Sequence, residues 1–183
     1  MLDYANRFVG FVRANWFKTP GLLLDIGCGD GSHSNAFEEA GFKTVRIDKE
    51  PTTKIIGCDL NKEKLNSIVL YNGADYIYAR SVIEYLKDTV SFMQQCYKAI
   101  KPGGKIFILT PNWVTQHHMF YDNYTRCSPF TVRSLKLLAE DTGFTTIHSG
   151  IWDETKYIWR FTEKAFHEDK NGKYIIYVGE KKC

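Results

Sequence analysis

The chain has 183 residues, enough for one domain and too few for two of ordinary size. Hydrophobic residues make up 44% and charged residues 25%, the balance of a globular protein, and a net charge of +3 with dispersed Lys and Arg gives no footprint for a nucleic acid. The five cysteines, Cys28, Cys58, Cys96, Cys127 and Cys183, are odd in number, widely spaced and without a C-x-x-C pair, which argues against a zinc site or a disulfide framework and for a reducing, cytoplasmic setting.

Leu2, Phe8, Val9, Val12 and Trp16 recur at helical spacing and predict an amphipathic helix over residues 2–17, broken by Pro20-Gly21. Asp3, Asn6 and Arg7 interrupt its apolar residues, so no secretory signal is expected there, and no apolar run in the chain approaches membrane-spanning length. Apolar runs at 22–26 and 44–47 predict the first two strands. Residues 32–40 between them read as a helix with Ser32 as N-cap and Gly41 as its stop. A third strand is predicted at 55–58. Only six residues, 49–54, separate it from Asp48, whereas a parallel crossover ordinarily needs about a dozen and a helix, so the second helix is expected to shrink to a turn.

Residues 61–71 read as a short helix or wrapped loop. A fourth strand is predicted at 76–79, a helical turn at 82–86, and a helix at 89–100 with Asp88 as N-cap. Lys101-Pro102-Gly103-Gly104 is a hard turn before a fifth strand at 105–109, closed by Thr110-Pro111-Asn112. A polar and aromatic loop is expected over 113–130, then a helix over 131–142 ended by Gly143, with Phe130-Thr131 as hydrophobic staple and N-cap. The last two strands are predicted at 144–148 and 174–178. The 25 residues between them exceed a hairpin loop and predict a helix or lid.

Chemistry concentrates at the first strand. Leu22-Leu23-Leu24-Asp25-Ile26 is a buried parallel strand by its apolar run, and Gly27, Gly29 and Gly31 follow at alternate positions. Ligands bind at the carboxyl ends of strands in open α/β sheets. A dinucleotide loop reads G-x-G-x-x-G and delivers a pyrophosphate to a helix N-terminus. Here the pattern is G-x-G-x-G, and Asp25 beside it repels a phosphate and suits a cation. S-adenosylmethionine carries an ammonium and a sulfonium and no phosphate.

The stretch resembles motif I of the class I S-adenosylmethionine-dependent methyltransferases. Further segments are similar to that family: Asp48 at the end of strand two, Cys58-Asp59-Leu60 after strand three, and Val82-Ile83-Glu84-Tyr85-Leu86 after strand four, where the family commonly reads V-L-E-H-L. Ala99-Ile100-Lys101-Pro102-Gly103-Gly104-Lys105 matches the L-K-P-G-G turn before strand five. The resemblance implies an α/β three-layer sandwich, with a seven-stranded, mostly parallel sheet of order 3-2-1-4-5-7-6 and an antiparallel last strand. It implies a single domain over 1–183 in which the N-terminal helix, 2–18, caps the cofactor site or serves a homodimer. It implies cofactor contacts from Asp25, Gly27, Cys28, Gly29, Asp48, Lys49, Asp59, Leu60 and Arg80.

The N/D-P-P-Y/F loop of amino-methylating nucleic-acid enzymes is absent after strand four, which leaves the small-molecule branch, often called type 11. Residues 121–131 are similar to a D-x-T-H-x-x-x-F-T element of methyltransferases that modify cell-envelope polysaccharides, with Arg126 where histidine is usual. The implied acceptor is a small molecule, a sugar or a glycan precursor. His117 and His118 are candidate general bases, since histidine titrates near neutral pH. Tyr121, Tyr124 and Arg126 are candidate substrate contacts, with Trp113, Phe120, Trp152 and Trp159 as pocket walls or core. A noncatalytic scaffold of the same fold and an NAD-dependent oxidoreductase are the competing readings. No metal is expected.

Overall fold

The computed structural model describes residues 2–65, 73–152 and 172–182. The elements are α1 (Leu2–Asn15), β1 (Leu22–Ile26), α2 (Ser32–Glu39), β2 (Lys43–Asp48), β3 (Ile56–Gly57), β4 (Ala74–Arg80), a 3-10 turn (Ile83–Tyr85), α3 (Thr89–Ala99), β5 (Ile100–Pro111), α4 (Trp113–Phe120), α5 (Val132–Asp141), β6 (Thr145–Trp152) and β7 (Tyr174–Glu180). One sheet holds all seven strands in the order β3-β2-β1-β4-β5-β7-β6. The first five strands pair in parallel, and β7 is antiparallel to both β5 and β6. The expected topology is therefore the observed one.

Residue alternation along the central strands splits the core in two. Leu23, Tyr76, Tyr78, Phe107 and Leu109 face Phe8, Val12, Phe17 and Phe37 of the α1–α2 side. Leu24, Ile26, Ile77, Ile106 and Ile108 face Phe92, Met93 and Cys96 of α3 and Leu135 and Ala139 of α5. One face is thus largely aromatic, with Tyr78 stacked on Phe107 at 5.2 Å and Trp152 against Phe11 at 4.7 Å. Trp152 is buried there as core. Each such side chain contributes about 2 kcal/mol on burial, so α1 is fixed to the sheet by Phe8, Val9, Phe11 and Val12.

Four local features differ from the sequence expectation. α2 is capped by Gly31 in the left-handed conformation (φ 74°), so Ser32 is its first helical residue and not its cap. The Ser32 N–H is satisfied instead by Asp30 Oδ1 at 3.0 Å. Residues 113–130 are not all loop: α4 forms because Asn112 Oδ1 accepts from Val114 N–H, and Trp113, His117 and Phe120 stack along one helical face. The Lys101-Pro102-Gly103-Gly104 turn sits inside β5 as a looped-out bulge. Ala74 pairs with Ile100 and Tyr76 with Lys105, and Gly103 takes φ 77°. Finally, β3 is two residues long, pairing Ile47 with Ile56 and Asp48 with Gly57. The β2–β3 connection can be short because β3 pairs only with the carboxyl end of β2, and the chain never travels back along the strand.

The caps at Asp88 and Thr131 are as expected, the latter as a capping box with Ser134. The element predicted over 61–71 runs into residues outside those described, and most of the predicted helix or lid, with Trp159, lies outside them as well.

Candidate active site

A cavity of about 490 Å³ opens at the carboxyl ends of β1, β2 and β4. Ile26, Gly27, Ile47, Asp48, Lys49, Cys58, Asp59, Leu60, Asn61, Ser81, Val82, Tyr85, Leu86, Asn123 and Thr125 line it. Of the residues expected to hold a cofactor, Gly27, Asp48, Lys49, Asp59 and Leu60 are brought together on its wall.

The glycine loop is built by backbone bonds. Gly27 N–H donates to Ile47 O at 2.7 Å and Gly31 N–H to Cys28 O at 2.9 Å. Gly27 has φ 71°, and a Cβ there would lie 2.1 Å from Val82 Cγ2. Only glycine lets the loop and the β4 turn approach this closely. Gly29 does not line the cavity but is bound to it: its N–H donates to Asp48 Oδ2 at 2.9 Å. The Asp48 carboxylate therefore closes the loop with one oxygen. Its other oxygen accepts from Glu50 N–H at 3.2 Å.

Asp59, on that wall, is anchored by its neighbours. Its carboxylate meets Lys62 Nζ at 3.0 Å and Asn61 N–H at 3.1 Å, and the bond from Lys62 draws its pKa down. Asn61 then ties the two walls, donating to Tyr85 O and accepting from Lys87 N–H, both at 2.9 Å. Ser81 carries a left-handed backbone (φ 55°), a conformation that is costly for a residue with a Cβ and that turns the chain from β4 into the cavity wall.

Asp25, Cys28 and Arg80 stand off the cavity. Asp25 is 2% exposed and accepts a 2.5 Å bond from Ser34 Oγ. Burial raises its pKa from 3.8 to about 6. Burial, with Asp25 and Asp48 nearby, pushes the Cys28 thiol up to about 12, which makes it inert as a nucleophile. The Arg80 guanidinium lies over the rings of Tyr4 and Phe8, 5.6 and 5.8 Å from their centroids. Beside it, His33 Nδ1 sits 2.8 Å from Tyr78 Oη. Burial and the Arg80 charge lower the His33 pKa to about 4, so this imidazole is neutral at pH 7.

His117 and His118 are exposed on α4 and do not line the cavity; His117 Nδ1 lies 3.3 Å from its own helix at Val114 O. Tyr121 and Tyr124 are also exposed, the latter 91%. Arg126 lies over the Tyr85 and Phe120 rings, at 5.8 and 5.7 Å. From that segment it is Asn123 and Thr125 that reach the cavity, and nothing in their residue types distinguished them in the sequence. Ser81, Val82, Tyr85 and Leu86 belong to the segment that the V-L-E-H-L resemblance had marked.

Glu84 lies between those wall residues, fully buried. Its Oε2 accepts from Thr110 Oγ1 at 3.0 Å, and its Oε1 has no hydrogen-bond partner. Burial raises its pKa from 4.5 to about 7, against the opposing pull of Arg126 and Arg80. A carboxyl whose folded pKa is raised stabilises the fold when protonated. That contribution fades as pH climbs from 4.5 through 7. Glu84→Gln is therefore expected to leave stability near wild type at pH 5 and to raise it by on the order of 2 kcal/mol at pH 8. Urea unfolding at the two pH values checks this, and equal destabilisation at both would show that the two arginines hold the charged form.

Among the described residues no cluster of His, Cys, Asp or Glu is placed to hold a metal ion, and no helix is long and apolar enough to cross a membrane.

Comparison with known proteins agrees with this geometry. Residues 3–149 match a family model described as a methyltransferase domain. Phosphoethanolamine N-methyltransferase 2 of Caenorhabditis elegans is 27% identical over 150 residues, covering 73% of this chain and 34% of the relative. A ubiquinone biosynthesis O-methyltransferase of Caulobacter vibrioides is 33% identical over 102 residues, 49% of this chain and 40% of the relative. The chain thus spans well under half the length of these curated relatives. Among solved structures, an S-adenosylmethionine-dependent methyltransferase from Archaeoglobus fulgidus superposes with a TM-score of 0.74 at 18% identity, covering 97% of this chain and 94% of that one. A glycine loop closed by a strand-two carboxylate, a sheet of order 3-2-1-4-5-7-6 and a family match over most of the chain all agree, and the chain belongs to the class I S-adenosylmethionine-dependent methyltransferases.

Proposed function

We propose that this chain moves the methyl group of S-adenosylmethionine to a nitrogen or oxygen of a small molecule, with a sugar or glycan precursor as the acceptor suggested by the 121–131 segment. The observation that carries the cofactor assignment is the bond from Gly29 N–H to Asp48 Oδ2. A dinucleotide loop offers that N–H to a pyrophosphate. Here a carboxylate already holds it, and the buried Asp25 carboxyl lies beneath the same loop, so the site favours a cofactor with cationic groups and no phosphate.

Gly27, Asp48, Lys49 and Leu60 would hold the cofactor. When bound, S-adenosylmethionine supplies a sulfonium-activated methyl group for in-line displacement. The chain's own contribution is to orient nucleophile against methyl group, an effect worth about 7–11 kcal/mol of barrier. A hydroxyl acceptor also needs its proton removed; His117 and His118 are the proposed bases, and since both stand on α4 outside the cavity the acceptor would have to be held between the cavity mouth and α4; an amine needs less. Relatives named for N-methylation of phosphoethanolamine and for O-methylation in ubiquinone biosynthesis support both nucleophile classes.

Calorimetric titration with S-adenosylhomocysteine and, separately, NAD tests the reading. Micromolar binding of the first, about −8 kcal/mol, with none of the second is expected. Binding of NAD alone would reverse the assignment. Binding of neither would favour a scaffold that keeps the fold without the activity.

A further inference from the structure

We infer that Asn123, set by Thr125, is a recognition residue for the adenine base of the cofactor. The inference rests on the cofactor reading above and adds a contact from the segment that follows α4. The crossover that follows β5 returns over the turn after β4. Cys127 and Ser128 donate their N–H groups to Glu84 O at 2.9 and 3.0 Å, and Ser128 Oγ donates to Leu86 O at 2.6 Å. These bonds carry Asn123 and Thr125 to the cavity rim.

The polarity of the Asn123 amide is fixed. Thr125 N–H and Thr125 Oγ1 both donate to Asn123 Oδ1, at 3.1 and 2.6 Å. A backbone N–H can only donate, so Oδ1 must be the atom it meets. The Nδ2 group is left facing Tyr85, with a long contact of 3.4 Å to Tyr85 Oη. An amide donor with so weak a protein partner is available to a ligand acceptor.

The location selects which part of the ligand. Asp48 and Gly27 mark the end of the cavity at the glycine loop. Tyr85 Oη meets Asn123 and Tyr85 O accepts from Asn61 Nδ2, so Leu60, next to Asn61, and Leu86, next to Tyr85, wall the cavity near Asn123, while Val82 stands beside Gly27. Apolar walls suit a flat, neutral base and not a charged amino-acid tail. Adenine presents ring nitrogens that accept hydrogen bonds, and Nδ2 supplies the donor.

Asn123→Asp is the discriminating variant. A carboxylate keeps the two bonds from Thr125, so the turn is retained, but it replaces the donor by an acceptor. The probes are S-adenosylhomocysteine and 5′-methylthioadenosine, which has the base and lacks the amino-acid tail. Calorimetry is expected to show both bound about tenfold more weakly by the variant than by wild type, at an unchanged melting temperature. Asn123→Ala should give a similar loss. Wild-type affinity in Asn123→Asp would overturn the inference and leave the cofactor assignment standing. A loss for S-adenosylhomocysteine with none for 5′-methylthioadenosine would overturn it too, by placing Asn123 at the amino-acid end. If wild type binds neither probe, the cofactor assignment fails and the inference with it.

Discussion

Gly27→Val is expected to abolish measurable S-adenosylhomocysteine binding, a loss of roughly a hundredfold or more. Two effects add. Gly27 has φ 71°, where a β-branched residue is strained by about 1–2 kcal/mol or more. A Cβ at this position also falls 2.1 Å from Val82 Cγ2, and both residues line the cavity. Relief requires the Val82 side chain to turn away or the β1 loop to shift from the β4 turn, and either changes the cavity wall. Val82→Ala in the same chain removes the collision but not the backbone strain, so the double variant should recover part of the affinity. Calorimetry on the single and double variants, with melting curves to confirm folding, decides it. Full affinity in Gly27→Val would sink the assignment of the loop.

Much of this site was legible in the sequence, and the reason is local. Asp25, Gly27, Gly29 and Asp48 lie at strand ends that apolar runs delimit, and a glycine that must take positive φ is visible as a glycine. The same holds for the caps at Asp88 and Thr131, whose side chains bond to backbone three residues on. What escaped is tertiary. Asn123 and Thr125 reach the cavity only because Cys127 and Ser128 bond across to Glu84 O, a pairing between residues more than 40 apart. Ser81 takes a glycine-like φ with no glycine to announce it. α4 read as a loop because its helical face is a row of rings among polar residues, and its cap, Asn112, looks like the end of a strand. The burial of Asp25 beneath the loop, with Ser34 as its partner, likewise could not be read from a D-x-G-x-G pattern.

That burial yields the second large effect. Asp25→Asn is expected to make the protein more stable at neutral pH and worse at binding its cofactor. The folded pKa of Asp25, about 6, stands above the ordinary carboxyl value of 3.8 because burial disfavours the charge. The protonated form is the one the fold prefers. Its contribution is therefore complete below pH 3.8, declines as pH rises to 6, and is absent above that, a difference of about 3 kcal/mol. His33 works against it in an overlapping window: its pKa is lowered to about 4, so its contribution is complete above pH 6.5 and is lost as pH falls toward 4. Glu84 loses its own contribution between pH 4.5 and 7, so wild-type stability alone mixes the three, and the difference between wild type and variant isolates Asp25. Asparagine keeps an acceptor for Ser34 Oγ and never ionises. The variant should thus match wild type near pH 4 and exceed it by up to about 3 kcal/mol at pH 7.5. Binding should run the other way. The cofactor's ammonium, which S-adenosylhomocysteine keeps although it lacks the sulfonium, favours the ionised carboxyl, so wild-type affinity for S-adenosylhomocysteine should weaken as pH drops through 6, while the variant is weaker at pH 7.5 and flat with pH. A variant that gained stability yet bound like wild type at pH 7.5 would reduce Asp25 to a buried structural acid and remove its charge from cofactor selection.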